Sequence, residues 1–461
     1  MNRLMVYILL LAAFALAKGG EVCTVDSIAW VGEHDAFDES QMEPAHGEPC
    51  DAWEPLAAKL ERYYEDKGFV AVRVLGNLRG DGPSRILELR LERGPGYVWA
   101  APENLDNGGT KAEVFRKLSG LEEGDPVSLS DLERSERKLA RLGYYEMTAP
   151  TKLFRDASRN RIIPAFSMRR ANVSRAEGLL TYSSEDNVWE GLVDVELYNI
   201  AGTARDLMLE GFSGEDSRHL TGSYKEPWIF GTSWNAVVRG SFDEDSEISE
   251  KTAVGELGVT RDIGFDFTLG VFLGISNDGK LSSFEMSYVS LDRFILPRSG
   301  WRMDGSLVWK MDRPDSLDNF LKANARMVAY MPLYGNFISR FTGAAGGVFP
   351  TDATLGRMDL FALGGLESFK GMQYRMLRSR SFGFSEFALL WQDGYDLSVE
   401  VFYQPGLYRR MNPGHGWARE QNYGLGFTQY RGNWSINLYY ALRNGCNYLD
   451  GILGFGVKTL F

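Results

Sequence analysis

The sequence predicts a mixed α+β N-terminal region followed by a long antiparallel β-barrel that crosses a membrane. Three observations predict it. The first residues form a charged head and an apolar core of the kind that marks a chain for export. Helical apolar spacing is confined to the segment that ends near residue 171. From 172 to 461 the apolar residues instead alternate with period two, and turn clusters separate the runs.

The export signal is "MNRLMVYILLLAAFALAKGG". Arg3 forms the charged head, Leu4 to Leu16 the apolar core, and Ala15-Leu16-Ala17 a small-x-small cleavage site, so 1–17 reads as a signal peptide. Lys18 ends the run short of the roughly 20 apolar residues that a helical anchor needs. The composition agrees: hydrophobic content is 44% and mean hydropathy −0.24, too low for a bundle of apolar helices. The 51 glycines and 13% aromatics suit strands joined by tight turns. A net charge of −12 argues against nucleic acid as a partner, because phosphate contacts need clustered Lys and Arg. Of the three cysteines, Cys23 and Cys50 lie close together, and an exported chain meets an oxidising compartment. They are candidates for a disulfide worth about 3 kcal/mol, with two free thiols as the alternative. Their spacing fits no metal pattern.

Within 18–171 the element signals recur twice, giving units 18–95 and 96–171. "SIAWV" (Ser27 to Val31) reads as a strand. "WEPLAAKLERYYEDKGF" has helical apolar spacing at Leu56, Leu60 and Tyr63/Tyr64, with Gly68 at its end. "VAVRVL" and "RILELRLERG" alternate as strands. In the second unit "TKAEVFRKLSG" is a helix with Thr110 as candidate N-cap and Gly120 as C-cap. "LSDLERSERKLARLGYYE" is another, with apolar positions Leu132, Leu139 and Leu142; Ser130 is its candidate cap and Glu133 would complete a capping box. "RIIPAFSMR" closes the unit as a strand.

Beyond residue 172, "FDFTLGVFLGIS" places Phe265, Phe267, Leu269, Val271, Leu273 and Ile275 on one face against Asp266, Thr268 and Gly270. "YDLSVEVFY", "WSINLYYAL" and "ILGFGVKTLF" alternate likewise. A soluble sandwich would bury the apolar face in a core; a transmembrane barrel turns it to lipid and leaves a polar lumen. The export signal, the absence of helices and aromatics at strand ends (Trp189, Trp228, Trp301, Trp309, Trp391) favour the barrel. Dividing its 290 residues by sixteen leaves about 18 per strand and turn, although fourteen strands also fit.

These segments resemble a known family. The two N-terminal units are similar to POTRA domains: "LERYYEDKGFVAVRV" and "LERSERKLARLGYYEM" stand where that domain has its second helix and a Gly-aromatic step. "NIAGTARDLMLEGFSG", "YKEPWIFGTSWNAVVRGSF" and "LDRFILPRSGWRMDGSL" resemble strands of the BamA/TamA-type outer-membrane assembly and translocation family. The resemblance spans essentially the whole mature chain. It implies periplasmic POTRA domains, a barrel at 172–461 in the cell outer membrane, and a C-terminal strand signal at Gly456 and Phe461.

It also gives meaning to "LGGLESFKGM", Leu363 to Met372, which is too glycine-rich for a strand and too apolar for a solvated loop. The family carries LGG-x-x-x-(V/I)RG(F/Y) there, on an extracellular loop folded into the lumen, whose arginine meets acidic groups of the inner wall. Gly364, Gly365 and Gly371 match. Phe369 replaces the aliphatic residue, Lys370 the arginine and Met372 the aromatic. Gln404 of "VFYQPG" stands at an acidic position of the family. Glu386 and Glu400 remain as candidate partners of Lys370, Glu386 the preferred one, so exchanging the charges of Lys370 and Glu386 is expected to restore what either single change loses. A solvated loop lysine is the alternative.

No catalytic set is apparent. His34, His46, His219 and His415 are scattered, and no metal-binding or nucleotide-binding motif occurs. The acidic run Phe242 to Glu250 lacks calcium-loop spacing and reads as a solvated loop. The expectation is therefore a non-enzyme without cofactor or metal. The resemblance implies an assembly or translocation factor that receives unfolded clients on POTRA strand edges such as "VAVRVLGNL". It would pass them to a barrel seam near Gly178–Tyr182 and Gly454–Phe461. Outer-membrane lipid and accessory periplasmic or lipoprotein subunits are the further partners it implies. A secretion pore for one exported protein is the alternative, although the plug helix of such transporters has no room between Ala17 and the first strand. A non-assembly channel is the third reading, favoured by the altered loop motif.

Overall fold

The computed structural model describes residues 23–460 except 81, 107, 157–158, 172–173, 184–187, 216, 247, 294, 315, 395, 410–415 and 432. The signal peptide read at 1–17, His415 and Phe461 lie outside the described residues. The chain divides into two compact units, one within Met1–Pro102, Leu121–Glu133 and Leu153–Pro164, the other within Glu103–Gly120, Arg134–Lys152 and Ala165–Phe461. The segment 96–171 contributes to both.

In the first unit the strands β1 (Thr24–Trp30), β2 (Arg73–Arg79) and β3 (Ser84–Glu92) form a sheet of order β1-β3-β2, with β1 parallel and β2 antiparallel to β3. Two helices cover it, α1 (Ala36–Met42) and α2 (Trp53–Glu65). The alternating inner residues Val74, Leu87, Leu89 and Leu91 meet Met42, Ala57, Leu60 and Tyr64 of the helices in one apolar core. The sequence reading missed α1, which is short, acidic and followed by Pro44. It forms because Asp35 and Asp38 cap it reciprocally. Asp38 is then fully buried, where Tyr64 Oη donates to it at 2.7 Å and Arg93 at 2.7 Å. Gly68 has φ +97°, and a Cβ there would come within 2.6 Å of the Tyr97 carbonyl. A disulfide joins Cys23 to Cys50, with Cα atoms 5.4 Å apart.

The next strands are β4 (Val98–Trp99), β5 (Glu103–Asn104), β6 (Tyr145–Asp156) and β7 (Arg161–Arg170). Strand β7 is central, with β4 and β5 parallel to it on one side and β6 on the other. The helices are α3 (Ala112–Ser119), closed by Gly120 at φ +71°, and α4 (Leu129–Arg141). Both predicted N-caps are corrected. Thr110 caps nothing; its hydroxyl accepts from Tyr145 Oη at 2.9 Å and from Asn199 Nδ2 at 2.7 Å. At α4 the cap is Ser128, whose Oγ accepts from Asp131 N at 3.1 Å. Ser130 and Glu133 are turned to other work: Asp66 accepts from the Ser130 hydroxyl, and Arg62 pairs with Glu133 at 2.9 Å.

The second unit holds a closed antiparallel barrel of sixteen strands. They are β8 (Arg175–Ser183), β9 (Val188–Ile200), β10 (Arg205–Ser213), β11 (Ser217–Glu226), β12 (Trp234–Asp245), β13 (Glu250–Ile263), β14 (Phe267–Ser276) and β15 (Gly279–Val289), followed by β16 (Gly300–Met311), β17 (Phe320–Pro332) and β18 (Phe337–Phe349). A loop then carries a small hairpin, β19 (Phe361–Leu363) and β20 (Leu377–Ser379). The wall resumes with β21 (Ser381–Asp393), β22 (Leu397–Arg409), β23 (Trp417–Arg431), β24 (Trp434–Arg443) and β25 (Ile452–Leu460). Strand β25 closes on β8 through nine registered pairs, from Ile452↔Ser183 to Leu460↔Arg175. The predicted seam is not short of pairing beside its neighbours: β24 and β25 register eight pairs, β8 and β9 nine.

The alternation reads directly onto the wall. Leu273 and Ile275 are 68% and 69% exposed on the outside, as are the outward residues of β22, Val401 and Tyr403. A sandwich would have buried them; an apolar outer belt is what lipid requires. Trp301 and Trp434 stand on the outer belt at the end where β8 begins, Trp189, Trp309 and Trp417 at the opposite end. At the first end, three consecutive turns hold the helices of the same unit. Lys111 N donates to Gly202 O at 3.1 Å, the ammonium of Lys117 lies 5.4 Å from the Trp228 ring centre, and Arg141 donates to Phe265 O at 2.8 Å.

Candidate functional site

The loop between β18 and β21 leaves the far end of the barrel and turns back inside it. The β19–β20 hairpin forms its stem, and "LGGLESFKGM" lies in the tip. Gly364 and Gly365 have φ +121° and +82°, and a Cβ on Gly364 would lie 2.0 Å from Gln373 O, so the returning limb passes too close for any side chain. Gly371 presses on the wall: its Cβ would come within 2.5 Å of Asn422 Oδ1.

Lys370 at the tip is buried. Its Nζ lies 3.0 Å from Glu386 Oε2 on β21, 3.5 Å from Glu400 Oε1 on β22 and 4.4 Å from the ring centre of Phe402. Arg340 of β18 holds the same two carboxylates, Nη2 to Glu386 Oε1 and Nη1 to Glu400 Oε2, each at 2.7 Å. Two cations thus face two carboxylates within the wall, a neutral set in a region where a lone charge would be costly.

Gln404 completes the set. Its Oε1 accepts from Lys370 N at 3.1 Å and from Asn422 Nδ2 at 3.1 Å, while its Nε2 donates to Ser368 O. An amide accepts and donates at once; a carboxylate could only accept. The two other departures from the family pattern have a partner each way. Phe369 is fully buried against Phe384 and Tyr408, with ring centres 5.5 and 6.1 Å away, in the space that Gly406 leaves open. Met372 is buried in the same apolar cluster.

The loop also reaches the opposite wall. Tyr374 N donates to Glu190 Oε2 of β9 at 3.2 Å and Tyr374 Oη to Glu210 Oε1 of β10 at 2.8 Å. Arg375 pairs with Asp243 of β12, which His219 of β11 also meets at 3.0 Å. Nearer the far end, Asp359 pairs with Lys310 at 2.8 Å and Arg313 at 2.7 Å, and Arg357 with Asp245 at 3.1 Å. The loop therefore spans the lumen from β9–β12 to β21–β23.

Sequence reading named Lys370, Glu386, Glu400 and Gln404, and these come together. It missed Arg340, Tyr374, Arg375 and Asp359. The available signal was a charge on the inward register of a strand, as at Arg340, two residues before Thr342. The acidic run Phe242 to Glu250 is a solvated loop only in part: its first four residues end β12, Glu250 begins β13, and Asp243 and Asp245 pair with the loop residues Arg375 and Arg357. Among the described residues no cluster has the make-up of a metal site. Gly456 lies in β25, opposite Leu179 across the seam.

Comparison with known proteins follows the same division. Residues 276–397 match the Omp85 superfamily domain, and residues 105–163 match the POTRA family, described as a surface antigen variable number repeat. CdiB from Escherichia coli aligns with a TM-score of 0.61 at 14% identity, covering 96% of this chain and 92% of that chain. CdiB from Acinetobacter baumannii aligns with a TM-score of 0.56 at 13% identity, covering 96% and 91%. BamA from Haemophilus ducreyi lacking POTRA domains 1–3 gives 0.49 at 13% identity, over 95% and 100%. No curated protein matches in sequence. At these identities the likeness to solved structures is one of fold. A POTRA match and an Omp85 superfamily domain match thus stand in this order on a chain whose second unit is a closed sixteen-stranded barrel.

Proposed function

We propose that this protein inserts or exports client polypeptides at an outer membrane, receiving them on its periplasmic POTRA domains. The apolar outer belt and the POTRA match support that location, with domains at 18–95 and 96–171 on the periplasmic side of a barrel at 172–461. The observation that carries the reading is the loop that crosses the lumen. It is bonded to β9 and β10 through Tyr374 and to β21 and β22 through Lys370, beside the β8–β25 seam. A lumen so crossed is a poor passive channel. A seam built of two nine-residue strands is the place where a client strand can pair with the wall.

Strand β2 supports the receiving step. It pairs only with β3 among the described residues, so its other edge carries no strand, although the Val74 N–H donates to Glu61 Oε1 at 2.7 Å. Client folding supplies the driving force in this reading, and no catalysis is assigned. Lipid and unfolded barrel precursors are the partners, with accessory subunits as further ones.

The test is quantitative outer-membrane proteomics on cells depleted of the protein. Loss of several unrelated barrels is the expected result. An unchanged barrel complement with one secreted protein missing from the medium would replace this reading by a dedicated secretion pore.

A further inference from the structure

The seam carries a charge pair that the proposed reaction must break. On β8 the odd-numbered residues face the lumen and Leu180 faces out; on β25 Leu453, Phe455 and Val457 face out and the residues between them face in. The inward residues Glu177 and Lys458 are direct partners in the seam register, and Lys458 Nζ lies 3.4 Å from Glu177 Oε2. Asn437 of β24 donates to the other oxygen at 3.2 Å.

Among the described residues Glu177 is ion-paired with Lys458 and with no second cation. Arg175, two residues earlier on the same face, is engaged by Glu196 and Asp194 of β9. Across β8–β9 the residue registered with Glu177 is Asp194, a like charge. When β25 leaves β8, Lys458 leaves with it, and Arg175 alone remains beside the three carboxylates Glu177, Asp194 and Glu196 in a half-buried setting. Whatever strand next pairs with β8 in that register either restores a cation there or leaves the repulsion in place.

We infer that Glu177 determines client specificity: β8 selects incoming strands with a cationic residue opposite Glu177. This rests on the seam-pairing function proposed above. A second feature follows from the space. Gly456 faces Leu179, and a Cβ on Gly456 would come within 3.2 Å of Leu179 Cδ1, so a small residue two positions before the cation is favoured. The selected strand resembles β25 itself: small residue, one residue, then Lys or Arg.

The test uses the full chain in phospholipid nanodiscs with Ala176→Cys on β8, whose partner in the register is Thr459. The probes are a peptide copied from Ile452–Phe461 with Thr459→Cys, and its twin that also carries Lys458→Glu. Disulfide capture is read on gels that also report barrel folding by heat-modifiability, with the chain lacking Ala176→Cys as control for the native cysteines. The lysine peptide is expected to be captured about tenfold more than its twin. Adding Glu177→Lys should reverse the preference. Glu177→Gln, close in shape, should abolish it and keeps the test informative where the lysine variant fails to fold. Equal capture of both peptides, or a preference that survives Glu177→Lys, overturns the inference and leaves seam pairing standing. No capture of either peptide by a folded barrel overturns seam pairing and the inference together.

Discussion

The side chain of Gln404 accepts a hydrogen bond from the backbone N–H of Lys370 at 3.1 Å, so the residue at the family's acidic position holds the loop by its main chain. The lysine side chain is meanwhile matched by Glu386 and Glu400, which it shares with Arg340. A third carboxylate at 404 would leave the group one negative charge in excess and would lose the donor to Ser368 O. Gln404→Glu is therefore expected to loosen the loop tip at a cost of about 2 kcal/mol. Protease cleavage within 363–376 of the folded barrel should increase, while Gln404→Ala, which removes the contacts without adding charge, should increase it less.

The charge exchange between Lys370 and Glu386 is expected to recover only part of what the single changes lose. Arg340 sits 2.7 Å from Glu386, and a lysine at 386 would face that guanidinium. Each single change should cost about 3 kcal/mol, read as urea-induced loss of heat-modifiability, and the double variant should fall midway. Full recovery would show that Arg340 does not share Glu386 in the working protein.

Gly406→Ala should disturb the loop from the wall side. The added Cβ would stand 2.4 Å from the buried ring of Phe369, and neither the strand nor the ring has room to yield. A cost of about 1–3 kcal/mol is expected. The pair Gly406→Ala with Phe369→Val, the latter nearer the family's aliphatic residue, should be more stable than Gly406→Ala alone in the same urea assay.

Asp359→Asn removes the carboxylate between Lys310 and Arg313, at 2.8 and 2.7 Å, and leaves two buried cations with Asp278 alone. The far-end anchor of the loop should fail first. Increased labelling of a cysteine introduced at Ala362 by a membrane-impermeant reagent added from outside is the expected outcome; unchanged labelling would show that the tip contacts alone hold the loop.

Asp66 gives the first unit an acid-sensitive joint. Burial raises its carboxyl pKa, but hydrogen bonds from Ser130 Oγ and N and from Ser128 Oγ, with Arg62 nearby, outweigh this and hold it below the ordinary aspartate value. A depressed folded pKa contributes stability above the unfolded pKa, near 3.9, and loses it as pH falls through the lower folded value. Amide exchange at 128–133, corrected for intrinsic rate, should be flat from pH 8 to about 5 and rise below about 4. Asp66→Asn should show the faster exchange at all these pH values.

The period-two pattern by itself marked the strands and their apolar face; closure at sixteen strands, where fourteen also fitted, and the outward turn of that face were decided by the structure. Composition marked "LGGLESFKGM" as a loop; that its lysine meets inner-wall carboxylates was implied by the family resemblance, with a solvated lysine as the alternative, and the structure buries it. Local capping was less legible: the hydroxyls of Ser128 and Ser130 both donate to Asp66, and Ser128 is the cap because the helix begins at Leu129, which puts Ser130 inside its first turn. Only the tertiary structure could decide that Arg340 shares the carboxylates with Lys370, that Tyr374 reaches Glu190 and Glu210, and that Lys458 faces Glu177. Those pairs lie 16 to 281 residues apart in sequence, and the barrel's closure and register, properties of the whole sheet, bring them within hydrogen-bond or ion-pair distance.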